Sequence, residues 1–358
     1  MYIRELFPIL SSCTYLNTAS TGLLSSSHYQ WRRQHDTAYL EQGSYFRIHQ
    51  ADFLCEVKAS IARFIHANPS RTYLIPNFSF GFNTVLNGLA PKQRILLLEN
   101  DYPSINYAVQ KHAIESISIP LGKNMEEDIL QAVQEHGPTV FAFSMTQYLD
   151  GLQIDLDFLK DLKQRYSHLL LVADATQYCG ARPFDFEKSA IDILICSGYK
   201  WLLAGYGNGF VCLKEDAAEQ LFAVTKEMRK PQEPFLQDKD HLSFFFEPGH
   251  QDTLSYGTLQ HSLQLFEQFD FPLLTQQLQQ LAEKAKEGFI QRGLLSEKVA
   301  QRRYAHSNIF SLHISTEKYQ QLQMAKIVCL PRGEGIRVAF HIYNTADDLD
   351  HLLEVLDT

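Results

Sequence analysis

The chain has 358 residues, of which 45% are hydrophobic and 20% are charged, and its formal net charge is −9. This composition is typical of a globular protein that is long enough for one large domain and a smaller one. Lysine and arginine do not cluster, which argues against nucleic-acid binding, and no apolar run is long enough to cross a membrane.

The six cysteines are scattered, and no two of them form a C-x-x-C pair, so we predict no metal site. The opening stretch MYIRELFPILSSC has no long apolar segment after a basic one, and we therefore expect no signal peptide. Free thiols without a targeting segment favour a cytoplasmic location.

Residues 1–27 are predicted to form an N-terminal arm that contains the extended stretch 15–22. Beyond it, Val57, Ile61 and Ile65 recur at helical spacing. We predict a helix over residues 28–66, interrupted by the aromatic stretch 43–47.

A candidate anion site follows the short predicted strand 72–76. The turn at Asn77, Phe78 and Ser79 leads into a helical pattern that includes Val85 and Leu89. Free amides and the helix dipole at a helix N-terminus favour an anion, and a hydroxyl adds a donor. Ser79 and the amides of Phe78 and Ser79 are therefore candidate phosphate ligands, although Ser79 taken alone would more simply be the cap of the helix.

Two further predicted strands end in polar or aromatic residues. Tyr102 follows the strand over residues 94–99, and Gln147 and Tyr148 follow the strand over residues 140–145. Ligands of open α/β sheets bind outside the carboxyl ends of the strands, which makes Gln147 and Tyr148 site candidates, and the sequence does not choose between them. From the residues alone, Tyr102 could be an ordinary turn residue.

The stretch 168–213 organises the chain. It holds three apolar runs, at residues 169–173, 191–196 and 209–213, which are typical of strands buried on both faces of a mostly parallel sheet. Asp174 closes the first run, and Lys200 follows the second. Pyridoxal 5'-phosphate (PLP) needs such a pair, because its aldehyde forms a Schiff base with a lysine and a carboxylate keeps its ring nitrogen protonated. Taken singly, Asp174 could be an ordinary helix cap, and Lys200 could be an ordinary exposed lysine.

Residues 260–358 are predicted to form a small α+β domain, and residues 28–259 a large one. A strand over 327–330 is followed by a glycine-rich turn and a return strand over 336–343. Alternation puts Arg337 on the face opposite Ile336 and Val338, where it could clamp a carboxylate in a cleft between the domains. His341 is interpreted as structural.

Asp174-Ala-Thr-Gln177 and Ser197-Gly-Tyr-Lys200 resemble motifs of the fold-type I PLP enzymes, in particular the class V aminotransferase and cysteine desulfurase group. The stretch 336–348 resembles the C-terminal signature of the same group, and the resemblance covers nearly the whole chain. It implies an α/β PLP-transferase fold whose large domain holds a mostly parallel sheet of the seven-stranded type.

The resemblance also implies roles for residues. Lys200 and Asp174 would be catalytic, Tyr102 would stack on the cofactor ring, and Arg337 would bind the substrate carboxylate. Gln147 or Tyr148 would contact the cofactor or the substrate. The remaining implied cofactor ligands are Gln177, for the ring oxygen, and Phe78, Ser79, Ser197, Tyr199 and Thr258, for the phosphate. Thr258 would reach the phosphate of a partner subunit, which implies a homodimer with shared sites; otherwise it would cap the following helix.

The implied function is a reaction at Cα of an amino acid, and an aminotransferase with a 2-oxo acid as second substrate is the first choice. The alternatives are a cysteine desulfurase or selenocysteine lyase, an amino-acid epimerase, and a non-catalytic binding or regulatory protein. A desulfurase needs a reactive cysteine, and the late candidate Cys329 lies in an apolar strand, which is typical of a core thiol.

Overall fold

The structure is a computed structural model that describes residues 3–228, 231–233, 236–237, 239–302, 304 and 306–358, so the first two residues of the predicted arm lie outside it. The described strands are β1 (Thr14–Tyr15), β2 (Thr72–Ile75), β3 (Arg94–Leu98), β4 (Glu115–Ile119), β5 (Val140–Ser144), β6 (Leu170–Asp174), β7 (Ile193–Ser197), β8 (Gly209–Leu213), β9 (Ile309–Leu312), β10 (Ile327–Val328), β11 (Leu330–Arg332) and β12 (Gly335–Ala339). The described α-helices are α1 (Ser26–Gln42), α2 (Gln50–Ile65), α3 (Phe78–Gly88), α4 (Pro103–Lys111), α5 (Met125–His136), α6 (Leu156–Arg165), α7 (Glu215–Gln220), α8 (Ser243–Phe246), α9 (Thr253–Gln268), α10 (Phe271–Gln291), α11 (Glu297–Ala300), α12 (Thr316–Met324) and α13 (Ala346–Asp357).

A seven-stranded sheet forms the centre of the described chain, in the order β2-β8-β7-β6-β5-β3-β4. Strand β8 runs antiparallel to both of its neighbours, whereas the other described pairings in this sheet are parallel. The predicted mostly parallel sheet is confirmed.

Both faces of the central sheet are covered. In β5, Phe141 and Phe143 belong to one hydrophobic cluster, and Val140 and Ala142 belong to a second cluster on the other side. Strands β5 to β8 are buried along their whole length. A strand with no solvated face has no reason to alternate polar with apolar residues, which explains the continuous apolar runs in the sequence.

The parallel strands bring several carboxyl ends to one edge of the sheet. The register pairs Ser144, at the end of β5, with Asp174, at the end of β6, and it pairs Asp174 with Ile195 of β7. Ser197 ends β7 two residues later. The polar residues that follow these strands therefore meet in space.

A second, three-stranded antiparallel sheet has the order β11-β12-β9, so β12 is its central strand. The predicted single strand over 327–330 is wrong in one respect, because the stretch divides between two sheets. Strand β10 pairs in parallel with β1 of the N-terminal segment, and β11 pairs with β12. The return strand ends at Ala339, and the chain then turns at Asn344, whose side-chain oxygen accepts the His341 amide.

The N-terminal segment packs against the C-terminal part of the chain. Arg4 forms an ion pair with Asp348 of α13 at 2.7 Å, and the Leu16 carbonyl accepts the Ala339 amide at 2.8 Å. Thr345 and Asp348 form a reciprocal capping box at the start of α13. The domain boundaries at residues 27 and 259 stay a prediction.

The predicted helix over residues 28–66 is two helices, α1 and α2, with the 3₁₀ helix Gly43–Arg47 between them. The predicted interruption is therefore confirmed. No helix among the described residues is long and apolar enough to cross a membrane.

Candidate active site

A cavity of about 380 Å³ opens at the carboxyl edge of the central sheet. It lies where the segments after β2, β3, β5, β6 and β7 meet. Its lining residues are Pro76, Asn77, Phe78, Ser79, Tyr102, Ser144, Tyr148, Asp174, Thr176, Gln177, Ser197, Tyr199, Lys200, Tyr206 and Gly207. Most of the site residues predicted from the sequence are on this lining; Gln147, Thr258 and Arg337 are not.

Lys200 is 5% exposed and presents its amine to the cavity. The Nζ atom lies 5.2 Å from the centre of the Tyr102 ring and 5.4 Å from that of Tyr199. Within the part of the chain that the structure describes, the amine has no hydrogen-bond or ion-pair partner. Burial lowers the pKa of Lys200 to about 8, and Asp174 opposes this shift while Arg337 adds to it.

Asp174 lies on the cavity wall at the end of β6, and its Oδ1 accepts the backbone amide of Thr176 at 2.8 Å. Burial raises the pKa of Asp174 to about 6, whereas the hydrogen bonds from Thr176 and the charge of Lys200 work in the opposite direction. The pKa shifts of Lys200 and Asp174 have the same main cause, since removal from water disfavours the charged form of each group.

The N-terminus of α3 forms another wall. Asn77 is the N-cap, since its Oδ1 accepts the Phe80 amide at 2.9 Å, and the interpretation of Ser79 as the helix cap is therefore wrong. Ser79 instead shares a hydrogen bond of 2.7 Å with the Ser104 hydroxyl. The Phe78 amide donates to the Ser197 hydroxyl at 2.7 Å, which joins this helix to the end of β7.

Aromatic side chains surround the cavity. Tyr102 meets Tyr148 edge-on, with ring centres 5.2 Å apart, and Tyr199 stacks on Tyr206 at the same separation. Tyr148 lines the cavity, whereas Gln147 is buried and is not among the lining residues. The structure thus distinguishes the two candidates that the sequence leaves equal.

Gln177 lines the cavity but is held by other groups. Its amide nitrogen donates to the Ala19 carbonyl at 3.0 Å, and its oxygen accepts the Trp201 indole N–H at 2.6 Å. One N–H of its amide group is left for a ligand. His341 is fully buried and bonds to the Trp201 carbonyl at 2.9 Å, in line with the structural role predicted for it.

Arg337 projects from β12 toward this region and is 3% exposed. Its Nη1 donates to the Tyr148 carbonyl at 2.6 Å, and its Nη2 donates to the Ser20 hydroxyl at 2.5 Å. Its Nε has no hydrogen-bond partner among the described residues. Burial lowers the pKa of Arg337 to about 10. Arg337 thus lies buried on the central strand of its sheet and not on the protein surface.

The structure does not bring Thr258 to the cavity. This residue is fully buried inside α9, where it donates to the Leu254 carbonyl at 2.7 Å and accepts from Arg32 at 3.2 Å. The alternative prediction that it caps the helix is wrong, because Asp252 is the N-cap. The predicted contact of Thr258 with the phosphate of a second copy stays a prediction.

Residues 17–22 of the N-terminal segment cross beside the Lys200 turn. The Gly22 amide donates to the Tyr199 carbonyl at 2.8 Å. A Cβ atom at Gly22 would lie 2.0 Å from the Lys200 carbonyl oxygen, so only glycine fits. This contact explains why the segment predicted as an arm lies next to the site.

Sequence reasoning missed Asp101. It is buried, and it accepts hydrogen bonds from the Ser144 hydroxyl at 2.6 Å and from the Ser144 and Tyr102 amides. Burial raises the pKa of Asp101. The available signal was its position just after β3, directly before Tyr102. Thr176, which donates to Asp174 and accepts the Ser197 amide, was missed as well.

Cys329 is 3% exposed and belongs to the hydrophobic core, and burial raises the pKa of its thiol to about 12. It has the features of a core thiol rather than of a reactive one. Among the described residues, no cluster of three or more histidine, cysteine or acidic side chains could hold a metal ion.

A family model described as Aminotransferase class-V matches residues 35–352. An uncharacterized aminotransferase of Bacillus subtilis is 22% identical over 380 residues, which cover 98% of this chain and 95% of that protein. The isopenicillin N epimerase of Streptomyces clavuligerus is 29% identical over 230 residues, 58% of this chain and 54% of that protein.

Solved structures share the fold. A mutant of C-DES with glycine covalently linked to its PLP cofactor has a TM-score of 0.86 and 19% identity, over 99% of each chain. The apo cysteine desulfurase of Thermococcus onnurineus NA1 has a TM-score of 0.84 and 16% identity, over 99% of this chain and 96% of that one. The predicted PLP fold type I is confirmed.

Proposed function

Because the chain belongs to the class-V aminotransferase family, we propose that it is a PLP-dependent enzyme that moves the amino group of an amino acid to a 2-oxo acid. The observation that carries the proposal is the Lys200 amine. It is buried at the carboxyl edge of the sheet without a polar partner among the described residues, one strand away from Asp174. Burying an ionisable group in this way costs stability unless a ligand makes use of it.

The residues around the cavity fit PLP. Lys200 is the amine for its aldehyde, and Asp174 is the carboxylate for its ring nitrogen. At the N-terminus of α3, Ser79 offers an amide and a hydroxyl to the phosphate, and the Phe78 amide would join them on release from the Ser197 hydroxyl. Ser197 and Tyr199 would complete this group of ligands. Tyr102 is an aromatic face for the ring. Gln177 keeps one N–H for the ring oxygen.

When it is bound, PLP supplies an electron-withdrawing ring that stabilises negative charge at the substrate Cα. The chain supplies the rest. Lys200, with a pKa lowered to about 8, is suited to take a proton from Cα and to return it, because general bases work best with a pKa near the operating pH. Asp174 keeps a negative charge in a low-dielectric site, where it would strongly stabilise the positive charge of a protonated ring nitrogen next to it.

Arg337 is the residue that we propose for the substrate carboxylate. A guanidinium binds a carboxylate through two parallel hydrogen bonds. In the structure its Nη atoms bond to the Tyr148 carbonyl and the Ser20 hydroxyl, and a substrate would have to compete with these two neutral acceptors. A charged carboxylate makes the stronger hydrogen bonds.

Transamination is preferred over desulfuration because the described residues around the cavity include no suitable thiol. Cys329 is buried in the core, and no cysteine lines the cavity of the described chain. A nucleophilic cysteine is instead expected to be accessible and to have a lowered pKa.

We also propose a homodimer. The segment from α1 to α2 exposes apolar side chains, including Leu40 at 85% and Tyr45 at 74%. A groove of about 290 Å³ lined by Trp31, Phe46 and Phe53 lies next to them. Apolar surface of this kind is typical of an interface. The molar mass in solution, measured by light scattering for the wild type and for Leu40→Asp, tests this proposal. A cytoplasmic location stays part of the proposal on the strength of the six free cysteines.

The proposed activity is tested by the absorption spectrum of the purified protein with PLP while single L-amino acids are added. We expect one amino acid to remove the visible band of the bound cofactor and a 2-oxo acid to restore it. A band that persists while the substrate racemises would indicate an epimerase, and release of sulfide and alanine from cysteine would indicate a desulfurase. A protein that never becomes coloured with PLP would contradict the proposal.

Lys200→Ala provides the residue-level test. We expect turnover to fall by about 10³-fold or more, because both the amine for the cofactor and the base at Cα are removed. Lys188→Ala is the control, since Lys188 is exposed and paired with Asp185. Turnover of Lys200→Ala close to that of the wild type would contradict the assignment.

A further inference from the structure

Two arginines lie on one face of the three-stranded sheet. Arg332 is on β11 and Arg337 is on β12, and the register pairs Leu330 with Arg337 and Arg332 with Gly335. Side chains of directly paired residues point to the same face, and alternate residues of one strand share a face. Arg332 and Arg337 are therefore diagonal neighbours, a separation of about 7–8 Å in an antiparallel pair.

This face is turned toward the candidate active site. Arg337 donates to the Tyr148 carbonyl, and a Cβ atom at Gly333, in the turn after Arg332, would contact the Leu149 side chain at 3.5 Å. Tyr148 lines the cavity. The hairpin that carries both arginines thus packs against the segment that follows β5.

The charge of Arg332 acts on the site. It contributes to lowering the pKa of Lys200 and the pKa of Arg337, although burial is the larger cause in both cases. It also opposes the upward shift in the pKa of Tyr148. Arg332 is thus close enough to the cavity for its charge to affect groups on the cavity wall.

Arg332 has no hydrogen bond or ion pair anywhere in the described residues, and its side chain is exposed. Arg337 is its charged neighbour on the same face, and like charges in such positions repel each other. Neither arginine is paired with a carboxylate of the described residues, so together they form a local cationic surface that an anion would stabilise.

We propose that the substrate is an amino acid with a second carboxylate, whose α-carboxylate binds Arg337 and whose side-chain carboxylate binds Arg332. The inference rests on the proposed function for the role of Arg337. Contact of Arg332 with the cofactor phosphate is the competing interpretation. It is disfavoured because the proposed phosphate ligands lie on α3 and around the end of β7, whereas the arginine hairpin packs beside Leu149.

Binding without turnover gives the first test. Isothermal titration calorimetry with the PLP-loaded protein would compare the binding of glutarate, a dicarboxylate, with that of butyrate, a monocarboxylate. Neither compound has an amino group. We expect glutarate to bind at least about tenfold more tightly, and Arg332→Gln to remove this preference while butyrate affinity changes by less than about twofold. Arg332→Lys keeps the charge without the planar fork and should retain part of the preference. Arg165→Gln, at the exposed end of α6, is the matched control.

Kinetics give the second test. L-aspartate, L-glutamate and L-2-aminoadipate vary the length of the side chain and keep its carboxylate. L-alanine, which has no side-chain carboxylate, is the reference substrate. Arg332→Gln should raise the KM of the preferred dicarboxylic substrate by about tenfold or more, whereas its kcat and both kinetic constants of L-alanine should change by less than about twofold.

Three outcomes would overturn the inference. The wild type could show no preference for glutarate, Arg332→Gln could weaken glutarate and butyrate equally, or it could weaken the affinity for PLP itself. These three outcomes differ from the result expected if only the proposed aminotransferase function is wrong. A glutarate preference that depends on Arg332, in a protein without Lys200-dependent turnover, would support the anion site and contradict only the aminotransferase proposal.

Discussion

At the scale of single residues, burial decides the protonation of the site. Asp174 has its pKa raised to about 6 and Lys200 has its pKa lowered to about 8, and in both cases loss of hydration outweighs the attraction between the two charges. Each shift favours the neutral form. The protein therefore holds a carboxylate and an amine that are costly while the cavity contains no charged ligand.

The first prediction concerns Asp174 and pH. Its folded-state pKa is about 6 and the ordinary value is 3.8, so the folded protein binds more protons than the unfolded one between pH 4 and 6. The free energy of unfolding without PLP should fall as pH rises through this window. When the free energy of unfolding of Asp174→Asn is subtracted from that of the wild type, this difference should fall by about 3 kcal/mol across the window. Urea unfolding of both PLP-free proteins at a series of pH values measures the difference, and a constant or rising difference would contradict the shift.

The second prediction concerns Cys329. Because the thiol is buried in the core, Cys329→Ala should lower the free energy of unfolding by about 1–2 kcal/mol and leave kcat within about twofold. Cys55→Ala, at an exposed position, should change neither quantity. Steady-state kinetics and denaturant unfolding provide both readouts. A folded Cys329→Ala protein with a 100-fold loss of turnover would favour a desulfurase.

At the scale of elements, the N-terminal segment completes the site. Ala19 accepts the Gln177 amide, Ser20 accepts from Arg337, and Gly22 donates to the Tyr199 carbonyl. One short stretch thus contacts residues from the central sheet and from β12. Its position depends on the close approach at Gly22, where the Lys200 backbone leaves no room for a side chain.

The third prediction follows from this contact. Gly22→Ala would put a Cβ atom 2.0 Å from the Lys200 carbonyl oxygen, so the segment must shift, and turnover should fall by at least about tenfold. The control is Gly122→Ala, whose Cβ atom would be 3.9 Å from its nearest neighbours. Thermal unfolding and kinetics of the two variants would be compared. Equal behaviour of both would show that the segment adapts to a side chain.

At the scale of the whole molecule, a buried ion pair joins distant parts of the chain. Arg302 and Glu126 of α5 are almost completely buried, and two N–O pairs link them, at 2.7 and 3.1 Å. Glu126 also accepts the Asp155 amide, at the start of α6. The pair thus connects the C-terminal part of the chain with the helices beside the central sheet.

The fourth prediction concerns this pair. Arg302→Met or Glu126→Leu alone should lower the free energy of unfolding by about 3–5 kcal/mol, because each leaves a buried charge without its partner. The double variant should cost clearly less than the sum of the two. Lys160→Met, which breaks an exposed pair with Asp157, should cost less than about 1 kcal/mol. Additive losses in denaturant unfolding would contradict the role of the pair.

The sequence alone predicted strands of the mostly parallel central sheet and the two charged residues proposed as the centre of the site. Strands β6, β7 and β8 were predicted to within two residues at each end, because burial on both faces leaves continuous apolar runs. Lys200 and Asp174 could be selected because their residue types at strand ends are a local signal, visible without knowledge of any contact.

Only the tertiary structure decided the features that depend on contacts between distant segments. It brought Tyr148 rather than Gln147 to the cavity, enclosed Thr258 within α9, and divided residues 327–332 between β10 and β11. It also showed Arg332 on the same face as Arg337. The periodicity of a segment tells which of its residues are buried, but the partner that buries them is contributed by another part of the chain. For that reason these features could not be read from the local pattern.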